Sequence, residues 1–118
     1  MFNKNIVELA KQNTNFRKEV VTGAHSQVVL MSIPVGGEIG LETHKVDQTL
    51  IFVQGRGQAI LNNVTSEILP NHLVFVPAGT HHNFKNTGSE ELKLYTIYAP
   101  SHHKPGTVEK VKPTNDKY

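Results

Sequence analysis

The stretch GGEIGLETHKVDQTLIFVQG, residues 36–55, decides how this chain is read, because three polar candidates for a metal site run directly into an alternating apolar segment. It carries G-x5-E-x-H-x3-Q-x6-G, with Glu42, His44 and Gln48 lying between Gly36 and Gly55. A second stretch, NHLVFVPAGTHHNFKN, residues 71–86, carries N-x5-P-x-G-x2-H-x3-N, in which Asn71 is followed by Pro77, Gly79, His82 and Asn86. A fold that brings these two segments together can gather side chains around one ion.

Strand geometry says which of these side chains share a face. Successive side chains alternate across a strand, so Glu42 and His44 project together, and Leu50 and Phe52 share a face with Gln48. The gap Lys45-Val46-Asp47 is about the length of a hairpin loop, and a reversal there brings His44 close to Gln48. Asp47 itself reads as a turn former. His82, Phe84 and Asn86 share one parity and His81, Asn83 and Lys85 the other; Phe84 marks the His82 face as the inner one. Pro77 fixes φ and Gly79 tolerates an unusual one, which together predict a tight turn before His82.

Outward from the motifs, apolar runs recur at 27–33, 49–53, 58–61, 73–76 and 92–98, separated by Gly, Pro and Asn clusters. Such spacing predicts an all-β sandwich or barrel of antiparallel strands. Ile6, Val7, Leu9 and Ala10 predict one short helix, whereas the polar stretch from Pro100 onward, with Pro105-Gly106 and Pro113, has no convincing period. The expected organisation is an N-terminal arm with a short helix over 1–24, a barrel over 25–100 and an extension over 101–118 lying across its outside. Phe52, Phe75, Phe84 and Tyr95 are expected in the core or the pocket wall.

The composition of the 118 residues, 37% hydrophobic, suits one modest core. With no cysteine, neither a disulfide framework nor a thiolate metal site is available, which favours the cytosol. MFNKNIVELAKQN has no unbroken apolar run of the signal-peptide kind, and no window approaches the roughly 20 apolar residues that span a bilayer. A soluble, unsecreted protein is expected. Lys and Arg exceed Asp and Glu by a net +2, but the charges are interspersed, so neither nucleic acid nor a membrane is an expected partner. Of the seven histidines, His81 falls on the outward parity, and the pair His102-His103 has no partner ligand at fixed spacing; all three are expected at the surface. His25, just before a strand, reads as a turn or rim residue that touches the site at most at its edge.

The two motifs together resemble those of the cupin superfamily, small β-barrels that hold a metal inside, and the likeness in spacing runs from Gly36 to Asn86. The superfamily's common first motif is G-x5-H-x-H-x3,4-E-x6-G, so this chain departs from it at Glu42 and at Gln48. Asn71 stands where the second motif usually opens with Gly, and Asn is a frequent substitute where φ is positive. The stretches EIGLETH, VDQ, PAGTHHN and LKLYTIYAP, with the HHKPGTVEK tail, resemble single-domain bacterial cupins of the mannose-6-phosphate isomerase-like group.

The resemblance implies a cupin-type antiparallel barrel, a double-stranded β-helix or jelly roll, with a metal site of Glu42, His44, Gln48 and His82. Moving the carboxylate from the usual Glu position to Glu42 keeps one negative charge beside the ion. Two imidazoles, a carboxylate and an amide oxygen suit one divalent first-row ion, Fe, Mn, Ni or Zn. Gln48 either coordinates it directly or hydrogen-bonds a bound water or substrate. Glu42 is the candidate catalytic residue, able to shuttle a proton. Phe52, Phe84 and His25 are candidates for contact with a small polar or sugar-like ligand. Isomerase and dioxygenase chemistry both fit this site, as does a metal-assisted binding protein without turnover. Exposed strand edges point to a homodimer.

Overall fold

The computed structural model describes residues 1–114. Of the extension read over 101–118, residues 115–118 lie outside the described residues. The element order is α1 (Ile6–Gln12), β1 (Arg17–Thr22), β2 (Gln27–Ile33), β3 (Asp47–Gln54), β4 (Gly57–Leu61), β5 (Val64–Ile68), β6 (Leu73–Val76), β7 (His82–Asn86), β8 (Leu92–Ala99) and β9 (Val108–Glu109).

Two antiparallel sheets face each other, one in the order β6-β3-β8-β2-β1-β9 and one in the order β5-β4-β7. The period of two explains the inner face. In β3, Gln48, Leu50 and Phe52 are buried while Thr49 and Ile51 are half-buried. Leu92, Leu94, Thr96 and Tyr98 do the same in β8, and His82, Phe84 and Asn86 in β7. One continuous core joins the sheets, with Val29, Leu50 and Leu94 from the larger meeting Ala59, Ile68 and Phe84 from the smaller. This is the all-β, cupin-type architecture.

Helix α1 forms where expected. The Asn5 side chain accepts from the Glu8 amide at 3.1 Å, satisfying one free N–H at the helix start, and Lys11 sits in the last turn where it favours the dipole. Its apolar side packs on the outer face of the larger sheet, in a second cluster of Ala10, Leu30 and Val53 with Ile6, Leu9, Val20 and Tyr95.

The flanks belong to the sheet more than the sequence suggested. β1 lies inside the stretch read as an arm and pairs with β2 from Arg17↔Met31 to Thr22↔Gln27. The extension returns to pair β9 with β1 through Arg17↔Glu109 and Lys18↔Val108. A partly buried ion pair between the Arg17 guanidinium and the Glu109 carboxylate fastens that return. The expectation of Phe75 in the core or pocket wall fails: it is 49% exposed, because in edge strand β6 the buried position is Val76, one residue out of phase.

Backbone constraints surround this frame. Asn71 has φ 72°, which fits an Asn standing where Gly is usual. A methyl on Gly57 would come within 2.3 Å of the Lys85 carbonyl oxygen, across the β4–β7 ladder. Gly57→Ala should therefore cost about 1–3 kcal/mol, as overpacking does. Gly23→Ala, whose methyl would meet only the Ser26 carbonyl at 3.7 Å, should change stability by less than about 0.5 kcal/mol. Urea unfolding of the two variants checks the difference, and equal midpoints would contradict the close strand approach.

Candidate metal centre

Backbone pairing, not strand regularity, brings the two motifs together. Glu42 sits outside the named strands and forms an isolated antiparallel bridge with His82; each amide donates to the other's carbonyl at 2.9 Å. Two residues on, the His44 carbonyl accepts from Gly79 N–H at 2.7 Å. The turn after β6 closes through Thr80 N–H to Pro77 O at 3.1 Å, with Gly79 at φ 84°, a value that a residue with a Cβ adopts only under strain. Asp47 does more than form its own turn: its Oδ1 accepts from the Ala78 amide at 2.9 Å and ties that turn to the start of β3.

The result is a cluster of Glu42, His44 and His82 whose ligand atoms all lie within 4.8 Å of one another. His44 Nε2 is 3.5 Å from Glu42 Oε2. With ligand bonds of about 2.0–2.2 Å, donors on a tetrahedral ion lie about 3.4 Å apart, so this edge already has the required length. His82 Nδ1 lies 2.8 Å from the Thr80 carbonyl oxygen, which only accepts, so Nδ1 carries the proton and Nε2 is left as the donor to an ion.

The histidines are held in the neutral form that metal binding needs. Burial, reinforced by His82, His102, His103 and Arg17, pushes the His44 pKa down to about 3. Burial also lowers that of His82, against the raising effect of its bond to the Thr80 carbonyl and with a smaller lowering from His81.

Gln48 is buried beside this group in β3, opposite Val76 and Tyr98. Its Nε2 donates to Thr96 Oγ1 at 3.0 Å and reaches the Tyr98 hydroxyl at 3.4 Å. Its Oε1 is buried with no hydrogen-bond partner among the described residues. A buried carbonyl oxygen left without a partner is costly, so an ion, a water or a ligand group would relieve it. The donor set and this oxygen together fit a divalent first-row ion.

The remaining candidates fall out differently. Phe52 and Phe84 are fully buried, with ring centroids 5.9 Å apart and Phe84 5.8 Å from the His82 ring, so they form a packed floor beneath the site. His25 is exposed in the turn between β1 and β2. His81 is exposed as expected, with Nδ1 against Thr43 Oγ1. The expectation for His102 and His103 is overturned. Both are half-buried; the His102 ring stacks on His44 at 4.7 Å, and both rings pack on Tyr98, at 5.4 and 5.3 Å. The tail has no period because it crosses the mouth of the barrel as irregular chain, and the only signal available was the abundance of histidine itself. A cavity of about 330 Å³ bordered by Phe16, Pro34, Glu38, Glu91 and Lys112 shares no residue with the cluster, and its charges are mixed.

Residues 29–98 match the Cupin_2 family, described as a cupin domain, and the chain belongs to that family. The Bacillus subtilis protein YrkC is 46% identical over 115 residues, covering 92% of this chain; the chain spans 62% of that relative's length. The crystal structure of BH2720 from Bacillus halodurans superposes with a TM-score of 0.93 at 44% identity, covering 94% of this chain and 89% of that one. A more distant relative, 25% identical over 83 residues and covering 70% of this chain and 53% of its own length, is the 1-methylthio-D-xylulose 5-phosphate methylsulfurylase of Rhodospirillum rubrum. No helix among the described residues is long and apolar enough to cross a membrane.

His44, His82, His102 and His103 all have lowered pKa values, burial being the first cause of each, with His44 and His103 at about 3. Between those values and about 6.5 the unfolded chain binds protons that the folded chain refuses, so stability is lost as pH falls through that window. The melting temperature of metal-stripped protein should drop steadily from about pH 7.5 to about pH 5. A flat or rising profile would contradict the burial of these rings.

Proposed function

We propose that the protein is a metal-dependent cupin acting on a small polar or sugar-like metabolite, with Glu42, His44 and His82 holding one Fe, Mn, Ni or Zn ion and Glu42 also moving a proton. The observation that carries this reading is the convergence of two buried imidazoles and one carboxylate within 4.8 Å, drawn from both motifs. Two histidines and a carboxylate leave coordination positions open, as in non-haem iron oxygenases. When bound, the ion would supply Lewis acidity toward a carbonyl or hydroxyl, or redox capacity.

The residues themselves do the rest. His82 presents Nε2 because Thr80 holds Nδ1, and Gln48 presents Oε1 because Thr96 and Tyr98 hold its amide nitrogen. Phe52 and Phe84 keep water from the floor. The substrate class draws support from the Rhodospirillum rubrum relative, whose name specifies a sugar phosphate thioether. Membership of the mannose-6-phosphate isomerase-like group and a cytoplasmic location are part of the same reading, the latter supported by the lack of cysteine. So is a homodimer: edge strand β6 exposes Leu73 and Phe75, apolar surface that a second copy would cover.

Metal analysis of purified protein tests the site. Up to one first-row ion per chain is expected, and His44→Ala or His82→Ala should each remove most of it. Glu42→Gln deletes the charged ligand and should weaken binding by at least the roughly 10–100-fold that lost supporting groups cost. Full metal retention by all three variants would sink the proposal.

Gln48→Glu separates the two roles of that residue. If Oε1 coordinates the ion, a second carboxylate should tighten metal binding while lowering the ion's Lewis acidity. If it contacts only substrate, metal affinity should stay unchanged and ligand binding should weaken. Weaker metal binding would contradict both arrangements.

A further inference from the structure

The Cupin_2 match ends at Tyr98, yet the wall of the metal centre does not. His102 lies with its ring stacked on His44, 24° from parallel, and in contact with Tyr98 and His103. A surface tail would not hold such a position, and this one is held by a dedicated clamp. The Gln27 side chain is 1% exposed; its Oε1 accepts from both the His102 amide at 3.1 Å and the His103 amide at 3.0 Å. Its Nε2 donates to the His103 carbonyl at 2.6 Å and to Thr22 Oγ1 at 2.8 Å. Every hydrogen-bonding position of one buried amide is thus spent on presenting two consecutive histidines. Gln27, like the tail, lies outside residues 29–98 that match the Cupin_2 family.

We propose that His102 is a ligand-selecting residue of the metal centre, donating a hydrogen bond from its imidazole to a small anion bound at the ion's open positions. The proposal rests on the metal reading above. A divalent ion with Glu42 as its one charged ligand carries a net positive charge, which an anionic carboxylate or phosphate oxygen would offset. Hydrogen bonds to such an oxygen are charge-assisted and geometrically selective. His102 is not among the ligand atoms that lie within 4.8 Å of one another, and the role assigned to it is toward the bound molecule.

The test uses the full chain loaded with Co(II) and azide as the probe anion, followed by the cobalt absorption bands. His102→Phe keeps a ring against His44 but removes the N–H. It should bind Co(II) within about threefold of wild type and azide about tenfold more weakly, the scale of one charge-assisted hydrogen bond. His102→Asn or His102→Gln places an amide donor near where Nδ1 or Nε2 lies, and one of the two should recover most of the lost azide affinity. Should the Phe variant fail to fold, these two polar variants set against His102→Ala give the same comparison. Azide affinity equal to wild type without the N–H would overturn the proposal, and so would loss of Co(II) as complete as in His44→Ala, since His102 would then be a ligand. Failure of wild type to take up Co(II) would overturn the metal reading itself, a result distinct from either.

Discussion

The reciprocal backbone bridge between Glu42 and His82 is the contact on which the rest of the site depends. His82 opens the regular strand β7, but the chain from Leu41 to Val46 contains no strand and cannot aim Glu42 or His44 by itself. Two amide-to-carbonyl bonds of 2.9 Å fix the separation, and the bonds from Gly79 to His44 and from Ala78 to Asp47 extend the seam on the same side. Each bond pairs a backbone amide with a carbonyl or carboxylate oxygen of the other segment. The stitching therefore stabilises the loops and places the candidate ligands in one act, with Gly79 and Asp47 supplying two of its bonds.

Much of this was legible before the structure. β2 and β6 occupy the apolar runs read for them, α1 begins at Ile6, and Glu42, His44 and His82 converge as their spacing implied. The route of convergence differed: a hairpin at 45–47 was expected to set His44 against Gln48, whereas the structure sets Glu42 against His82. Period-two reasoning works where one face is buried, and it failed where that condition lapses. β5, VTSEI, is almost wholly exposed and has no apolar alternation to find. β1 opens with Arg17, Lys18 and Glu19, and its pairing shifts register between Glu19 and Val21, so no simple alternation marks it. Phe75 was misplaced because edge strand β6 has too few residues to reveal its phase.

The largest miss, His102 and His103, has a different cause. Their position is set by Gln27, 75 residues away in sequence from His102, through bonds to main-chain groups that carry no trace of side-chain identity. Local pattern cannot report such a contact. Burial then does the chemical work: with Arg17 nearby, it holds both imidazoles below their ordinary pKa and so neutral at the mouth of the site.

The return of the tail also has a dynamic consequence. β9 comprises two residues, and its attachment to β1 rests on a short ladder and the Arg17–Glu109 pair, with no share in the main core. Opening it exposes little apolar surface, so the free energy of local opening there lies well below that of the whole barrel. Amide hydrogens of this tail should exchange through that partial opening, while those of β2, β3 and β8 wait for global unfolding. The protein thus holds two levels of cooperativity, a slow-exchanging barrel that carries the candidate ligands Glu42, His44 and His82 and a faster-exchanging strap that brings the outermost imidazoles to them.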